Sequence, residues 1–465
     1  MTPASFSTLP IAPTQLEALA GLGYSAMTPV QAQSLPAILQ RKDVIIQAKT
    51  GSGKTAAFGI GLLHHLNPRF FGVQSLVMCP TRELAEQVGE AIRQLASRMR
   101  NIKVVMLCGG KPFGPQRDSL EHGAHIVVGT PGRIQDHLQR QTLDLTSVAT
   151  FVLDEADRML DMGFAEVMAT ITAALPKKRQ TLLLSATFPD DIKKMSRAIQ
   201  HQPIEVKVDT VLTHDETVVE QLFFEIQKHE RNTALLALFE HYQPGNAMVF
   251  CNTKKQCAEV AAFLQEHDIE AAAIHGDLDQ RDRDQVLLQF TNNTSPVLVA
   301  SDVAARGLDI PALAMVVNFE LPRDGDTYVH RIGRTGRAGE TGQAFSLVTP
   351  SEAPRLRVIE DHLQINCLCD VLESLNRNPN YQLQGDMTTL QFDAGRKQKL
   401  RPGDILGALT GDAGLAGDQI GKIKILDNSS YVAIARPVLR QAMNYLAQGK
   451  IKGRSIRARR LKLHR

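Results

Sequence analysis

The sequence predicts an α/β protein built as two parallel-sheet domains followed by a smaller split α/β domain. Three observations carry this expectation. Short β-branched runs alternate with helix-like segments through two successive blocks, the pattern of a parallel sheet covered by helices. The glycine-rich and charged motifs of both blocks fall directly after those runs, where open α/β sheets bind their ligands. The charge balance then changes sign. Residues 386–465 hold 16 Lys and Arg against six Asp, a net of +10, whereas residues 1–385 carry 36 basic and 43 acidic residues, a net of −7. Such asymmetry points to a polyanionic partner for the C-terminal piece, the bland alternative being a basic tail kept for solubility.

In the first block strands are expected at 44–46, 75–78, 126–128, 151–153 and 181–184, and in the second at 247–250, 272–274, 297–300, 315–318 and 344–347. A polar segment near 210–216 reads as a hinge between the blocks, and a second, 376–385, as the linker to the basic piece. That piece reads as strand 388–392, helix 404–408, strands 423–426 and 431–434, helix 438–446 and strand 455–460. This is a β-α-β-β-α-β order. The domains expected are therefore 1–209, 217–370 and 386–465. No apolar run approaches the roughly 18 residues of a membrane span. The start, Met1-Thr2-Pro3-Ala4-Ser5-Phe6, lacks the basic end and apolar core of a secretion signal. The six cysteines (79, 108, 251, 257, 367, 369) form no CxxC pair or zinc-ligand spacing. Cys79, Cys108 and Cys251 lie in or beside apolar runs and read as buried thiols. A cytoplasmic protein with no membrane partner is expected.

The chemistry begins at Ala48-Lys49-Thr50-Gly51-Ser52-Gly53-Lys54-Thr55. A glycine-rich turn between strand and helix aims several backbone N–H groups at one place, where they can cradle phosphate oxygens. Gly51 and Gly53 permit close backbone approach, Lys54 places a charge on the β/γ-phosphates, and the Thr55 hydroxyl can hold Mg²⁺. Ala48 stands where the usual pattern has glycine. Asp154-Glu155-Ala156-Asp157 follows an apolar strand. Asp154 can enter the Mg²⁺ shell, and Glu155 can orient or deprotonate an attacking water. An exposed acidic loop would be the bland reading, but it leaves the upstream phosphate cradle without a use. Arg334 and Arg337 lie in the glycine-flanked segment His330-Arg331-Ile332-Gly333-Arg334-Thr335-Gly336-Arg337 of the second block. A positioned arginine neutralises charge on a departing γ-phosphate and supplies about 10³–10⁵ in rate. If these two serve, hydrolysis requires the blocks to close on each other.

Motif by motif, over about residues 1–365, the chain resembles the DEAD-box family of ATP-dependent RNA helicases. The resemblance implies two RecA-like domains and ATP with Mg²⁺ as the cofactor. Tyr24 and Gln31, with Phe6 upstream, look like the family's adenine-selecting Q motif. Pro80, Thr81 and Arg82 in Pro80-Thr81-Arg82-Glu83-Leu84-Ala85, Gly110 in Gly109-Gly110, and Thr130 and Arg133 in Thr130-Pro131-Gly132-Arg133 look like RNA-backbone contacts. Ser185 and Thr187 in Ser185-Ala186-Thr187 resemble the motif that couples hydrolysis to strand separation, with Asp157 and Arg306 beside them in that role. Asn252, after Phe250-Cys251, and Arg283, with Gln280, match further RNA contacts; Asp309, closing the run from Ser301, would contact the ribose. Threonines, glycines and single arginines at strand ends suit phosphate and sugar, so this core should be blind to sequence. Local duplex opening, without long translocation, is what the resemblance implies.

The basic domain is similar to that of one bacterial subgroup, the DEAD-box protein A group, through Lys399-Leu400-Arg401-Pro402-Gly403-Asp404-Ile405-Leu406-Gly407-Ala408-Leu409 and Gly449-Lys450-Ile451-Lys452-Gly453-Arg454. This implies an RRM-like fold, a 23S rRNA hairpin near the peptidyl-transferase centre as partner, and work on the 50S ribosomal precursor. The stacking aromatics of an ordinary RRM are absent: Tyr431 and Phe392 are the only rings on the expected strands. Residues 450–465 instead hold eight Lys and Arg and no acid. Lys399, Arg401, Lys450, Lys452, Arg454 and Arg457 are the candidates for tracking phosphate. A monomer is expected. Three rivals stand beside the helicase reading: a double-strand DNA motor, for whose extra elements the short blocks leave no room; an ATP-locked RNA clamp with hydrolysis as release timer; and an RNA binder whose hydrolysis is incidental.

Overall fold

Seven short apolar runs within the first 208 residues pair side by side as one parallel sheet: β1 (Val44–Gln47), β2 (Ser75–Met78), β3 (Val104–Leu107), β4 (Ile126–Gly129), β5 (Thr150–Leu153), β6 (Gln180–Ser185) and β7 (Ile204–Lys207), in the order β3-β4-β2-β5-β6-β1-β7. This is a computed structural model, which describes residues 4–48, 51–208, 219–305, 308, 310, 313–336 and 341–462. Lys49, Thr50, Arg306, Asp309, Arg337 and the expected hinge at 210–216 lie outside the described residues.

The central strands are buried on both faces, which is why they read as unbroken apolar runs. Successive residues divide between two cores. Val152, Leu182 and Leu184 pack with Phe58 and Val77 on one face, and Phe151, Leu153 and Leu183 pack with Ile134 and Met159 on the other. The two edge strands, β3 and β7, were not expected from the sequence. β3 is half-buried and β7 buries only Val206, where the charges of Glu205 and Lys207 mask its apolar signal.

The second sheet repeats the plan with β8 (Val219–Glu225), β9 (Ala247–Cys251), β10 (Ala271–Ile274), β11 (Val297–Ser301), β12 (Met315–Asn318), β13 (Gly342–Val348) and β14 (Cys369–Asp370), ordered β10-β11-β9-β12-β13-β8-β14, again all parallel. Helices start where the sequence supplies a capping oxygen. Thr81, Thr253, Asp279 and Asp324 accept from the backbone N–H of Leu84, Gln256, Asp282 and Thr327.

The C-terminal piece forms an antiparallel sheet from β15 (Met387–Phe392), β16 (Ile420–Ile425), β17 (Ser430–Ala435) and β18 (Ala458–Arg460), ordered β16-β17-β15-β18. Leu390, Phe392, Val432 and Ile434 face the helices and form its core with Ile405, Leu409 and Leu446. The chain divides into two compact units, and the second contains both this sheet and the parallel sheet of the second block.

The expected linker 376–385 is a packed strap. Leu383 N–H donates to Asp268 O (3.1 Å) and Leu383 O accepts from Glu270 N–H (2.8 Å), while Tyr381 Oη donates to Pro244 O (2.7 Å). Leu372, Leu375, Tyr381 and Leu383 pack against the second block's core. Its polar composition hid this, because the apolar anchors are few and spaced without helix or strand period. No helix among the described residues is long and apolar enough to cross a membrane.

Candidate nucleotide and RNA sites

The carboxyl ends of the first sheet divide the expected motifs between two groups of neighbouring strands. β5, β6 and β1 feed Asp154-Glu155, Ser185–Thr187 and the glycine-rich turn; β3, β4 and β2 feed Gly110, Thr130 and Pro80-Thr81-Arg82. A ligand with phosphates and a second, extended one could therefore lie side by side on one sheet edge.

The glycine-rich turn is set by backbone conformation. Gly51 and Gly53 have φ of +84° and +93°, in the left-handed region that favours glycine. Gly53 is also a close-approach point: a Cβ there would lie 2.5 Å from Gln31 Nε2. Lys54 is buried, and its ammonium donates to Ala48 O at the entrance of the turn. Ser52 Oγ is buried with no partner among the described residues. A cradle holding a cation, an idle hydroxyl and left-handed glycines fits a phosphate chain.

Gln31 spans the helix Pro29–Leu39 and the turn. Its Oε1 accepts from Thr28 N–H (2.9 Å) and its Nε2 donates to Gly53 O (3.2 Å), while Thr28 Oγ1 donates to Ser52 O (2.8 Å). Thr28 was missed from the sequence; a Thr-x-x-Gln capping box is the signal that marks it. The two expected aromatics separate by exposure. Phe6 is buried and meets Tyr24 edge-on at 6.2 Å between centroids, while Tyr24 is 37% exposed and alone of the pair presents a ring to solvent.

Asp154 directly follows β5 at 3% exposure, and burial pushes its carboxyl up to about 7 against the pull of the Lys54 ammonium. Glu155 holds φ of +53°, a strained value for a side-chain-bearing residue of this kind. Asp157 links this loop to the next. Its carboxylate accepts from Thr187 N–H and Thr187 Oγ1, each at 3.0 Å, and Ser185 Oγ donates to Thr187 O. A buried carboxylate at Asp154, which feels the Lys54 ammonium, and the hydroxyl of Thr55 in the first turn of the helix that begins at Lys54 are donors of the kind that suits a hard cation.

On the other group of strands, Thr81 caps the helix Arg82–Leu95, and the Arg82 guanidinium lies over Gly110, whose φ is +75°. Any Cβ at Gly110 would sit inside that guanidinium. Arg133 donates to Lys111 O at 3.0 Å, beside Gly110. Pro80, Thr81, Arg82, Gly110, Thr130 and Arg133 thus lie at three adjacent strand ends.

In the second block, the Asn252 side chain is engaged within its own domain. Its Oδ1 accepts from Arg331 (2.9 Å) and its Nδ2 donates to Leu321 O (3.1 Å). Arg283 donates to Ala304 O at 2.7 Å. Arg334 is 8% exposed, just past the helix Gly325–Ile332, with its N–H on Arg331 O (3.1 Å). Sequence reasoning passed over Arg331, which the fold places at the centre of this group.

The antiparallel sheet presents Thr389, Gln391, Tyr431 and Ala433 away from its helices, the face an ordinary RRM uses for stacking bases. All four are buried. At Thr389 the cover comes from the second block: Asn292 Nδ2 (3.2 Å) and Thr294 Oγ1 (2.8 Å) both reach Thr389 Oγ1. Gln289 donates to Lys462 O (2.8 Å), and Arg436 pairs with Glu270. The basic candidates lie elsewhere and are all exposed. Lys399 and Lys452 both take positive φ (60° and 53°), and Lys452 Nζ joins the two loops through Lys399 O (3.0 Å) and Asp404 (3.3 Å).

Residues 28–195 match the model of the DEAD/DEAH box helicases, 230–339 the helicase conserved C-terminal domain, and 389–460 the DbpA RNA binding domain. The ATP-dependent RNA helicase DbpA of Escherichia coli (strain K12) is 50% identical over 98% of this chain and 100% of its own length. The protein of the same description from Bacillus subtilis (strain 168) is 37% identical over 95% and 96%. A solved structure, S. cerevisiae Dbp5 bound to RNA and ADP BeF3, is similar with a TM-score of 0.73 at 30% identity, covering 79% of this chain and 96% of that one.

Proposed function

Because the chain belongs to the DEAD-box ATP-dependent RNA helicases of the DbpA family, and is as such an RNA-dependent ATPase, we propose that it acts on 23S rRNA near the peptidyl-transferase centre during 50S subunit assembly in the cytoplasm. The observation that carries this reading is the C-terminal domain. It matches the DbpA RNA binding domain over 389–460 and keeps its basic loops exposed while its sheet face is covered. Recognition would therefore run through the loops of Lys399, Arg401, Lys450, Lys452 and Arg454, with Arg457 alongside, and not through base stacking on the sheet.

In the ATPase site, Lys54 would leave Ala48 O for the β/γ-phosphates, and Ser52 Oγ would gain an acceptor. Tyr24 would stack on the adenine ring, and Gln31 would read its edge. Thr55 and Asp154 would hold Mg²⁺, which neutralises phosphate charge when bound. Glu155 would orient the attacking water and accept its proton, while Arg334 would stabilise charge on the departing phosphoryl group. Asp157, through Thr187, would pass the state of this loop to the following segment. Pro80, Thr81, Arg82, Gly110, Thr130, Arg133 and Arg283 would hold RNA by phosphate and sugar, giving local opening of a duplex chosen by the C-terminal domain.

The test is steady-state ATP hydrolysis by the full chain with a peptidyl-transferase-centre hairpin fragment and with unrelated RNA of equal length. Fragment-selective stimulation is expected. Equal stimulation by both would discard the rRNA assignment and leave the helicase standing.

A further inference from the structure

Phe70 and Phe71 are the only exposed phenylalanines among the described residues, and they are adjacent, at 45% and 38% exposure. They lie in the short connection between the helix Lys54–His65 and β2. This is the amino edge of the first sheet, opposite the edge that carries the expected nucleotide and RNA motifs. Single apolar side chains scattered over a surface are ordinary; a neighbouring pair of rings with its own supports is not.

The supports come from the amino ends of three adjacent strands, β2, β4 and β3. Gln74 Nε2 donates to Asn67 O (2.8 Å) and Phe70 O (2.7 Å), and its Oε1 accepts from Asn67 N–H (2.8 Å). Phe71 O accepts from Ala124 N–H (3.1 Å). His125 is buried and bonded at both nitrogens. Its Nδ1 accepts from Lys103 N–H (3.0 Å), which leaves the proton on Nε2 to be donated to Pro68 O (3.3 Å). Burial holds this imidazole below its ordinary 6.5 and so keeps that neutral form. The backbone makes room for both rings. A Cβ at Gly72 would lie 2.5 Å from the Phe70 ring, and one at Gly123, where φ is +84°, would lie 2.9 Å from Phe71 Cβ. Phe71 leans on the His125 ring at 4.7 Å between centroids. The rings are therefore in place before any ligand arrives, which lowers the ordering cost of binding.

Their surroundings are cationic. Residues 66–75 and 96–105, the connections that lead into β2 and β3, contain Arg69, Arg98, Arg100 and Lys103 and no acid. Lys103 Nζ lies 5.2 Å from the Phe71 centroid and donates to His122 O (2.8 Å). Arg69, Arg98 and Arg100 are exposed, and none of their guanidinium groups pairs with a carboxylate among the described residues. Ring faces beside unpaired cations match a ligand that carries a π-face and a phosphate on every residue.

We propose that Phe70 and Phe71, with Arg69 and Lys103, form a second docking site for single-stranded RNA, where bases stack on the rings and the cations hold phosphate. The site lies across β2 from Pro80-Thr81-Arg82, about 13 Å of strand away, and takes RNA that flanks the segment held at the carboxyl edge. Binding there is blind to sequence, because every base offers a ring face. It does not depend on which rRNA the C-terminal domain selects.

The chain has no tryptophan, so Phe70→Trp places a single reporter in the site. An oligouridylate long enough to reach both sheet edges is titrated into the nucleotide-free full chain carrying that change. Saturable quenching of the indole emission is expected, as for a base stacked on the ring; unchanged emission once polarisation shows the RNA bound overturns the proposal. In the Phe70→Ala/Phe71→Ala variant the oligouridylate should bind about 10-fold more weakly, the loss of a stacked base. A peptidyl-transferase-centre hairpin without single-stranded extension should stay within about twofold of the parent, as for a distant, independent site. Arg69→Ala should lower the salt slope of oligouridylate binding by about 0.7, one phosphate. Should the double variant not fold, Arg69→Ala/Phe70→Ala, which removes two exposed side chains, is read the same way. Parent-like oligouridylate affinity in either folded variant overturns the proposal. Sedimentation of the RNA-free chain tests a second copy as occupant: a dimer lost in the Phe70→Ala/Phe71→Ala variant, with RNA affinity intact, would make the rings a contact between copies and overturn the RNA assignment.

Discussion

Replacing Asp154 by Asn should stabilise the nucleotide-free protein, by an amount that grows with pH. Burial holds the Asp154 carboxyl up to about 7, against an ordinary value of 3.8 and despite the pull of Lys54. The folded chain therefore keeps a proton that the unfolded chain releases. A folded pKa above the unfolded one contributes stability that is complete below about pH 4 and lost as pH rises to about 7. About three pKa units correspond to about 4 kcal/mol, of which about 2 kcal/mol is lost above pH 5.5. Asparagine fills nearly the same volume and cannot ionise, so the variant escapes this loss. For a unit of this size the gap in melting temperature should widen by about 4–8 °C between pH 5.5 and pH 8. Scanning calorimetry without nucleotide measures it, following the transition that moves. The same carboxyl should release about half a proton when Mg²⁺–ATP binds the parent at pH 7, seen by titration calorimetry in buffers of different ionisation heat. Parallel melting curves across that pH range would show the carboxyl ionised throughout and defeat the burial argument.

Glu155→Gln should keep ATP and RNA binding within about threefold while kcat falls by about 10²–10⁴, the range for losing a general base; equal single-turnover rates would remove Glu155 from the chemistry. Gly53→Ala should lose ATP binding in equilibrium titrations, because φ of +93° and a Cβ 2.5 Å from Gln31 Nε2 displace both the turn and its brace. Ending the chain after Gly385 keeps the strap packed and removes the basic loops. The salt slope of RNA binding should then fall by about 4, from six phosphates at about 0.7 each; an unchanged slope would put the phosphate contacts elsewhere.

The strands that carry the motifs were legible because they are buried on both faces and so read as pure apolar runs, as in Leu76–Met78 or Val297–Ala300. The edge strands β3, β7 and β14 were not, although the edge strand β10 was expected at 272–274. β7 reads Ile204-Glu205-Val206-Lys207, with only Val206 buried, and β14 is two exposed residues whose pairing with β8 is purely tertiary. The strap was misread for a related reason. Tyr381 and Leu383 are isolated among polar neighbours, and only the partners Pro244 and Ile269 make them anchors. Arg331 lies in plain view inside the segment His330–Arg337. Its charge resembled that of Arg334, and nothing local says that its guanidinium is spent on Asp302, 29 positions away.

The adjacency of β2 and β5 has a mechanical consequence for the first unit. Asp154 N–H donates to Met78 O at 3.0 Å, so the acidic loop is bonded to the last residue of the strand that leads into Pro80-Thr81-Arg82. Adjacent strands lie about 4.8 Å apart, and Leu153 pairs with Met78 in register. From Asp154 the chain runs through Asp157 to Thr187, and from Met78 it runs through Thr81 to the helix that places Arg82 over Gly110. A change in the charge of Asp154 is therefore one backbone hydrogen bond from the loop expected to hold RNA. Coupling of this kind needs no mobile relay, because packed neighbours at one sheet edge have few independent positions. If that bond is the conduit, Asp154→Asn should mimic the protonated state and fix RNA affinity at its nucleotide-free value whether or not ATP is present. Normal strengthening of RNA binding by ATP in that variant would place the coupling elsewhere, with the Asp157–Thr187 pair next in line.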